Sequence, residues 1–294
     1  MPEEKPPKVT IPALQARKKT GPRIVCLTAY DYPTARILDE TGEVDIILVG
    51  DSLGMTVLGY ETTVPVTMDE MIHHTKAVAR GVKRALVVGD MPYLSFHLSE
   101  EESVRNAARF IKEAGADAVK LEGASSQRLK LVEALTEAEI PVMGHVGLTP
   151  QSIRRLGRYS VQGASVGEAA RLVRDARHLE SAGAFSVVIE SVTMETAARI
   201  TEALSVPTIG IGAGPVCDGQ VLVLHDMVGL TTGCLPKFVK KYADLHDIIS
   251  EAVCGYARDV REGRFPDDDT SYHLKPGAAG RRTGAASARG SLEK

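Results

Sequence analysis

The stretch ETGEVDIILVGDS, residues 40–52, decides the fold of this chain of 294 residues. A glycine ends a helical segment, an apolar run follows, and a carboxylate ends the run. The same order recurs in ARGVKRALVVGDMP at 79–92, EAGADAVKLEG at 113–123 and SAGAFSVVIES at 181–191. Because the runs are rich in Val, Ile, Leu and Ala, they predict strands buried on both faces, as in parallel sheets.

Eight strands are predicted in all. They cover residues 23–29, 45–50, 85–90, 117–122, 141–147, 185–190, 207–214 and 219–226. Eight strands alternating with helices over about 240 residues predict an α/β fold, a (β/α)₈ TIM barrel, for which about 250 residues is typical. A doubly wound sheet of the Rossmann type is the alternative, but the glycine run at 210–214 lacks the GxGxxG spacing.

The two ends of the chain differ in composition from the rest. Residues 1–9 are rich in proline and charge and predict a disordered N-terminal tail, and residues 267–294 predict a low-complexity C-terminal tail. A single catalytic domain is therefore predicted over residues 10–266. Three helices within it begin with the sequence of a capping box. These are Thr67 with Glu70, Ser99 with Glu102, and Ser165 with Glu168.

Composition excludes several classes of function. The net charge is −3 and the pI is near 6.3, so no electrostatic attraction to nucleic acid or to a membrane surface is expected. The four cysteines are widely spaced without a CxxC pair, which predicts reduced thiols. With no membrane-spanning apolar run and no signal-peptide core, the chain is predicted to be cytoplasmic.

The acids at the strand ends predict the functional site. Asp51, Asp90, Glu122 and Glu190 end four strands, and such folds place their chemistry at the carboxyl ends of their strands. Four acids at one mouth need positive charge among them, which a divalent metal supplies. Asp51 and Asp90 both follow Val-Gly, with no His or Cys beside them, and such a pair favours Mg²⁺. The alternative is that each acid caps the following helix.

Lys120 lies two residues before Glu122, so both side chains point to the same face of one strand. A buried lysine needs a partner, and either Glu122 or a substrate carboxylate meets that need. Two alternatives remain, a purely structural ion pair and a Schiff-base lysine, although a neighbouring acid suppresses the nucleophilicity of an amine.

Three further residues are candidates at the same mouth. Glu190 follows the apolar run SVVI, and such surroundings raise the pKa of a carboxylate, so it is predicted to be the general base unless it caps a helix or forms a salt bridge. His145 ends strand five and is either a pocket residue or a hydrogen-bonded core histidine. Ser52 either binds a ligand carboxylate or caps a turn.

Together these blocks resemble the ketopantoate hydroxymethyltransferase family, also called 3-methyl-2-oxobutanoate hydroxymethyltransferase. The resemblance spans about residues 10–266. It rests on TAYDYPTARILDE at 28–40, VGDSLGMTVLGYETTVPVT at 49–67, VKLEG at 119–123, GHVGLTPQS at 144–152, VQG at 161–163, TIGIGAGPVCDGQVLVLHD at 208–226 and PKFVKKY at 236–242.

The resemblance implies a barrel of the phosphoenolpyruvate/pyruvate superfamily type, a Mg²⁺ cofactor and 5,10-methylenetetrahydrofolate as the one-carbon co-substrate. It implies an enolate mechanism, a place in pantothenate biosynthesis and a homo-oligomer of ten chains. Asp51 and Asp90 match residues that bind the metal and the keto acid, and Glu122 matches an acid that reaches the metal through water. Ser52 and Lys120 match keto-acid-binding groups, Glu190 the general base and His145 a polar pocket residue.

The sequence is compatible with two rival functions. One is a C–C lyase or mutase of the same superfamily, which would carry a catalytic cysteine in a KKCGH-type block that this sequence lacks. The other is a barrel that binds an oxo acid without turning it over. The set Asp51, Asp90, Lys120, Glu122 and Glu190 argues against the second.

Overall fold

The computed structural model of the chain describes residues 7–18, 20–233 and 235–274. The chain divides into two compact units, Met1–Ala243 and Asp244–Lys294. The prediction of one catalytic domain over residues 10–266 stays a prediction. Residues 1–6 and 275–294, on which parts of the two predicted tails fall, lie outside the described residues.

The first unit contains eight parallel strands that close into a barrel in chain order, with β1 paired to β8. The strands are β1 Ile24–Thr28, β2 Ile46–Val49, β3 Leu86–Asp90, β4 Ala118–Lys120, β5 Val142–Gly147, β6 Ser186–Glu190, β7 Thr208–Ile211 and β8 Gly219–Leu222. The predicted barrel is therefore confirmed. The Rossmann alternative is wrong, because an open sheet would leave two unpaired edge strands.

Ten helices belong to this unit within the described residues. They are α1 Ile11–Gln15, α2 Tyr32–Glu40, α3 Leu53–Thr56, α4 Met68–Gly81, α5 Glu100–Lys112, α6 Ser126–Glu137, α7 Ile153–Leu156, α8 Val166–Ser181, α9 Met194–Ala203 and α10 Leu224–Met227. The short helices α3 and α7 lie inside the long loops after β2 and β5. A 3₁₀ turn at Pro150–Ser152 leads into α7.

Polar side chains begin the long helices. The capping boxes predicted for α4 and α8 are confirmed, with both reciprocal bonds present in each. At α5 the Ser99 hydroxyl accepts the Glu102 N–H at 3.2 Å. Glu102 returns no bond to the Ser99 N–H in the described chain, so the predicted box is wrong at this helix and only its serine half caps.

The last two strands are shorter than predicted. β7 stops before Gly212 and Gly214, whose φ angles of +62° and +75° turn the chain out of the extended region. β8 ends at Leu222, and the chain enters α10 at Leu224 instead of continuing as a strand. Residues 212–218, all of them described, join β7 to β8 without a helix.

Alternate strand residues build two apolar layers, as expected where both faces of a strand are buried. Ile46 and Leu48 of β2 belong to the cluster inside the barrel. Ile47 and Val49 belong to the cluster between the strands and the helices. All four side chains are at most 6% exposed.

The first residues that the structure describes pack with the interior of the barrel. Val9 and Leu14 belong to the inner cluster. The Val9 N–H donates to the Arg84 carbonyl at 2.7 Å, and Lys8 Nζ lies 2.7 Å from Asp117. The disorder predicted for residues 1–9 is therefore wrong for Lys8 and Val9, because apolar burial and an ion pair hold them beside the strand starts.

The second unit contains α11, Leu245–Arg261. Beyond this helix, Arg264 Nη2 lies 2.7 Å from Asp259 Oδ1, and the rings of Tyr256 and Phe265 have centroids 5.5 Å apart. Among the described residues of the whole chain, none of the helices combines the length and apolar character that crossing a membrane requires.

Candidate active site

The strand register brings the predicted residues to one end of the barrel. Asp90 stands opposite Lys120 in the β3–β4 pairing, and Glu190 ends β6 opposite Gly147 of β5. Asp51 and Glu122 each lie two residues past the end of a strand. Because parallel strands end at the same side, four acids and one lysine meet at the mouth.

Lys120 forms the central ion pair of this mouth. Its Nζ lies 2.8 Å from both carboxylate oxygens of Asp90, and both side chains are buried. Burial alone would lower the pKa of Lys120, but Asp90, Glu122 and Asp51 together raise it above the ordinary value. The partner is thus Asp90 and not Glu122, and an amine kept cationic does not act as a Schiff-base nucleophile.

Asp51 is buried beside this pair. Its main-chain N–H donates to Asp90 Oδ2 at 3.3 Å, and its Oδ2 accepts from Gln151 Nε2 at 3.0 Å. Burial, and then the charge of Asp90, raises the pKa of Asp51 to about 7. The helix-capping alternative for Asp51 is wrong, since α3 begins after Ser52 and has no side-chain cap.

Gln151 is a site residue that the sequence analysis missed. Its Nε2 donates to Asp51 and to the Met91 carbonyl, and its main-chain N–H donates to Glu122 Oε2 at 3.2 Å. It thereby joins the acids that follow β2 and β4. Its place in GHVGLTPQS, directly after a mouth strand, was the available signal.

Glu122 is buried near the other acids. Burial raises its pKa well above the ordinary value, Lys120 opposes the rise, and Asp51, Asp90 and Glu190 add to it. With three carboxyl groups of raised pKa around one cation, the mouth holds more negative charge than Lys120 offsets.

Glu190 lies at the end of β6, which is across the barrel from β2. Burial raises its pKa to about 8, against the influence of Lys120. Its side chain is 20% exposed, so the carboxyl group is reachable from the mouth. The following helix α9 has no side-chain cap, so the capping alternative for Glu190 is wrong.

His145 is a neutral neighbour of Glu190. Its Nε2 lies 2.7 Å from the Leu148 carbonyl, which only accepts, so the ring proton is on Nε2. The Nε2–Glu190 Oε2 distance of 3.7 Å is too long for a hydrogen bond. Burial, and then Lys120, lowers the pKa of His145 to about 3, which excludes a charged pair at neutral pH.

Ser52 lies at the edge of the acid cluster. Its hydroxyl is 2.8 Å from the Tyr30 hydroxyl, and Tyr30 is buried at the end of β1. A Cβ on Gly50 would lie 2.8 Å from Ser52 Oγ and 3.9 Å from Asp90 Oδ2. Gly50 therefore permits the close approach of Ser52 to the mouth.

The donor set at the mouth fits a magnesium ion. Asp51 and Asp90 offer the hard carboxylate oxygens that Mg²⁺ prefers, and Mg²⁺ needs only one or two of them beside water and substrate. Over residues 7–18, 20–233 and 235–274, no three His, Cys, Asp or Glu side chains are grouped to hold an ion. The three-residue set Asp51, Asp90 and Glu122 therefore stays a prediction.

Comparison with known proteins by sequence gives matches along most of the chain. The family model described as ketopantoate hydroxymethyltransferase matches residues 8–268. A 3-methyl-2-oxobutanoate hydroxymethyltransferase of Thermoanaerobacter sp. (strain X514) is 55% identical over 268 residues, which are 91% of this chain and 97% of that protein. The enzyme of the same name from Moorella thermoacetica is 56% identical over 265 residues, 90% and 98% of the two chains.

Solved structures of similar fold are more distant in sequence. A phosphoenolpyruvate phosphomutase from Streptomyces platensis subsp. rosaceus has a TM-score of 0.58 at 15% identity, over 86% of this chain and 88% of that one. Phosphonopyruvate hydrolase has a TM-score of 0.55 at 15% identity, over 88% and 92%. These neighbours share the barrel fold of this chain. By its sequence, the chain belongs to the ketopantoate hydroxymethyltransferase family.

Proposed function

We propose that this chain transfers a hydroxymethyl group to 3-methyl-2-oxobutanoate, with 5,10-methylenetetrahydrofolate as donor and Mg²⁺ as cofactor, in pantothenate biosynthesis. The observation that carries the proposal is the convergence of Asp51, Asp90, Glu122 and Glu190 on Lys120 at the mouth of the barrel. A relative of 55% identity, matched along 97% of its length, is named 3-methyl-2-oxobutanoate hydroxymethyltransferase.

Asp51 and Asp90 would hold the Mg²⁺ ion, and Glu122 would reach it through water. The ion supplies Lewis-acid chemistry, which stabilises negative charge that develops on the oxygens of a bound 2-oxo acid. Burial, and then repulsion from the neighbouring acids, raises the pKa values of Asp51 and Glu122. These shifts support the assignment, because a bound divalent cation favours the ionised carboxylates.

Lys120 and Ser52 would bind the keto acid. The ammonium group of Lys120 is held cationic among acids, so it can attract a carboxylate while keeping its bond to Asp90. The Ser52 hydroxyl, oriented by Tyr30, can donate a hydrogen bond at the edge of the same cluster. His145 would line the pocket as a neutral polar group.

Glu190 would act as the general base. It takes the proton from C3 of the keto acid, and the electron pair of that C–H bond forms the enolate. Water supplies the hydroxyl oxygen: it cleaves both carbon–nitrogen bonds of the donor's methylene group, the two nitrogens take its protons, and the carbon is released as formaldehyde. C3 then bonds to this carbon, the C=O electron pair moves to the oxygen, and that oxygen takes the proton held by Glu190. A pKa near 8 suits this role, because a base is most effective when its pKa lies near the working pH.

Incubation with a ¹³C-methylene-labelled donor tests the proposal. Purified protein, Mg²⁺ and the keto acid are expected to give ¹³C-labelled 2-dehydropantoate, detected by NMR, and omission of the keto acid, the donor or Mg²⁺ is expected to abolish it. Cleavage of the keto acid without label transfer would favour the lyase. Keto-acid binding with no product would favour the non-catalytic barrel.

The cellular setting is part of the same proposal. We propose that the chain acts in the cytoplasm as a homo-oligomer of ten copies, which the family resemblance implies. Light scattering of the purified protein checks the assembly, and a mass of one or two chains would contradict it.

A further inference from the structure

A cavity adjoins the acid cluster. A cavity of about 590 Å³ is lined by the loops after β3, β4 and β5 and by helix α8. Glu122 and Gln151, which belong to the acid cluster, also line this cavity. A ligand in the cavity therefore reaches the edge of the acid cluster, at Glu122 and Gln151.

The wall of this cavity is positively charged. Four arginines line it against two acids, Glu122 and Asp175. The arginines are Arg128, Arg154, Arg155 and Arg171. A concave surface with an excess of guanidinium groups concentrates anions, and each guanidinium can bind a carboxylate with two parallel hydrogen bonds.

Arg128 is fixed to the wall. Its Nη1 donates to the Phe96 carbonyl at 2.5 Å, and its guanidinium carbon lies 4.4 Å from the centre of the Phe96 ring. Arg154, Arg155 and Arg171 differ from it. They are exposed, and none of them pairs with a carboxylate of the described chain at 4 Å or less. Arg171 acts on Asp175 through its charge, one turn further along α8, but forms no salt bridge with it. The three guanidinium groups can therefore accept an anionic ligand as a partner.

The position of these groups defines the ligand that fits. Such a ligand has a reactive group that lies at the acid cluster, an aromatic portion near Phe96, and carboxylates that bind the arginines. The folate donor has this order, since a pterin and an aminobenzoyl ring precede its glutamate. We propose that Arg154, Arg155 and Arg171 bind the glutamate tail of the one-carbon donor, an inference that rests on the proposed function.

Steady-state kinetics of three arginine variants test this inference. Arg171→Gln and the double variant Arg154→Gln/Arg155→Gln are each expected to raise KM for the donor about tenfold or more, since charge-assisted bonds are lost. Arg177→Gln is the matched control, because Arg177 is also exposed on α8 but does not line the cavity. It is expected to leave KM for the donor within about twofold.

A donor without its tail makes the test specific. With 5,10-methylenetetrahydropteroate, which lacks the glutamate, the native enzyme is expected to show a raised KM. The arginine variants are expected to add little to it, as a double-mutant cycle requires when the arginine and the tail interact. Donors with three glutamates are expected to bind more tightly than those with one, and the Arg154→Gln/Arg155→Gln variant to lose that gain.

The outcomes separate this inference from the proposed function. Deuterium exchange at C3 of the keto acid needs no donor and reports a folded mouth. If the native enzyme forms product but the arginine variants raise KM equally for the donors with and without glutamate, the inference is wrong. It is also wrong if the variants leave KM for the donor unchanged. If the native enzyme forms no product, the proposed function fails first.

Discussion

Replacing Glu190 with glutamine removes the proposed base while keeping its shape. Glu190→Gln is isosteric, so β6 and the packing around its last residue stay in place. Loss of a positioned general base typically slows a reaction by about 10²–10⁴-fold, or about 3–5 kcal/mol of barrier. We expect this loss in kcat, with little change in the affinity for Mg²⁺ or keto acid.

The same substitution is expected to lower activity but to raise the free energy of unfolding. The pKa of Glu190 is raised from 4.5 to about 8, and each pKa unit corresponds to about 1.36 kcal/mol. The folded state therefore loses stability as pH rises from about 4.5 through about 8, because Glu190 must ionise in a buried place. Allowing for its 20% exposure, we expect metal-free Glu190→Gln to be about 2–5 kcal/mol more stable at pH 9 and about equal at pH 4.

Two measurements check this pair of effects. Urea unfolding of EDTA-treated protein at pH 4, 7 and 9 gives the free energy of unfolding, and the ¹³C transfer assay gives kcat. Glu195→Gln is the control, because Glu195 is an exposed acid in the first turn of α9. Native kcat in Glu190→Gln would remove Glu190 from the mechanism. A variant less stable than the native chain at pH 9 would refute the reasoning on its pKa.

Three other predictions concern this base and two other residues of the mouth. The rate of proton exchange at C3 without donor is expected to rise about tenfold per pH unit, because Glu190 must be ionised. It is expected to level at or below pH 8, because bound Mg²⁺ lowers the pKa of Glu190. A rate that falls from pH 6 to 8 would contradict this. Asp90→Asn leaves Lys120 buried without its carboxylate, so urea titration is expected to show a loss of about 3–5 kcal/mol. Gln151→Leu removes the donor to Asp51 and is expected to cost about 1–3 kcal/mol and to raise KM for the keto acid, and an unchanged KM would count against its role at the site.

The repeated order of glycine, apolar run and acid was enough to predict the barrel and its functional end. Parallel strands buried on both faces leave little choice of architecture, and the closed β1–β8 pairing agrees with eight of them. Asp51, Asp90, Glu122 and Glu190 lie where strand ends must lie. Local patterns were sufficient because strand period and strand polarity decide both features.

Other features depend on contacts that local patterns do not encode. Gln151 reaches Asp51 across 100 positions of sequence, and the partner of Lys120 is on the neighbouring strand and not on its own. The short helices α3 and α7 lie in loops whose apolar residues have no helical period, so the sequence predicts irregular structure at both places. The arginines of the cavity come from three separate segments and meet only after folding.

Proton exchange at C3 of 3-methyl-2-oxobutanoate tests the central claim most directly. The protein is incubated with the keto acid in D₂O without donor, with Mg²⁺ or with EDTA, and the C3 proton signal is followed by NMR. We expect exchange with Mg²⁺, none with EDTA, and a loss of about 10²–10⁴-fold in Glu190→Gln. Exchange that is absent in both conditions, or equal in both, would contradict a Mg²⁺-assisted enolate formed by Glu190.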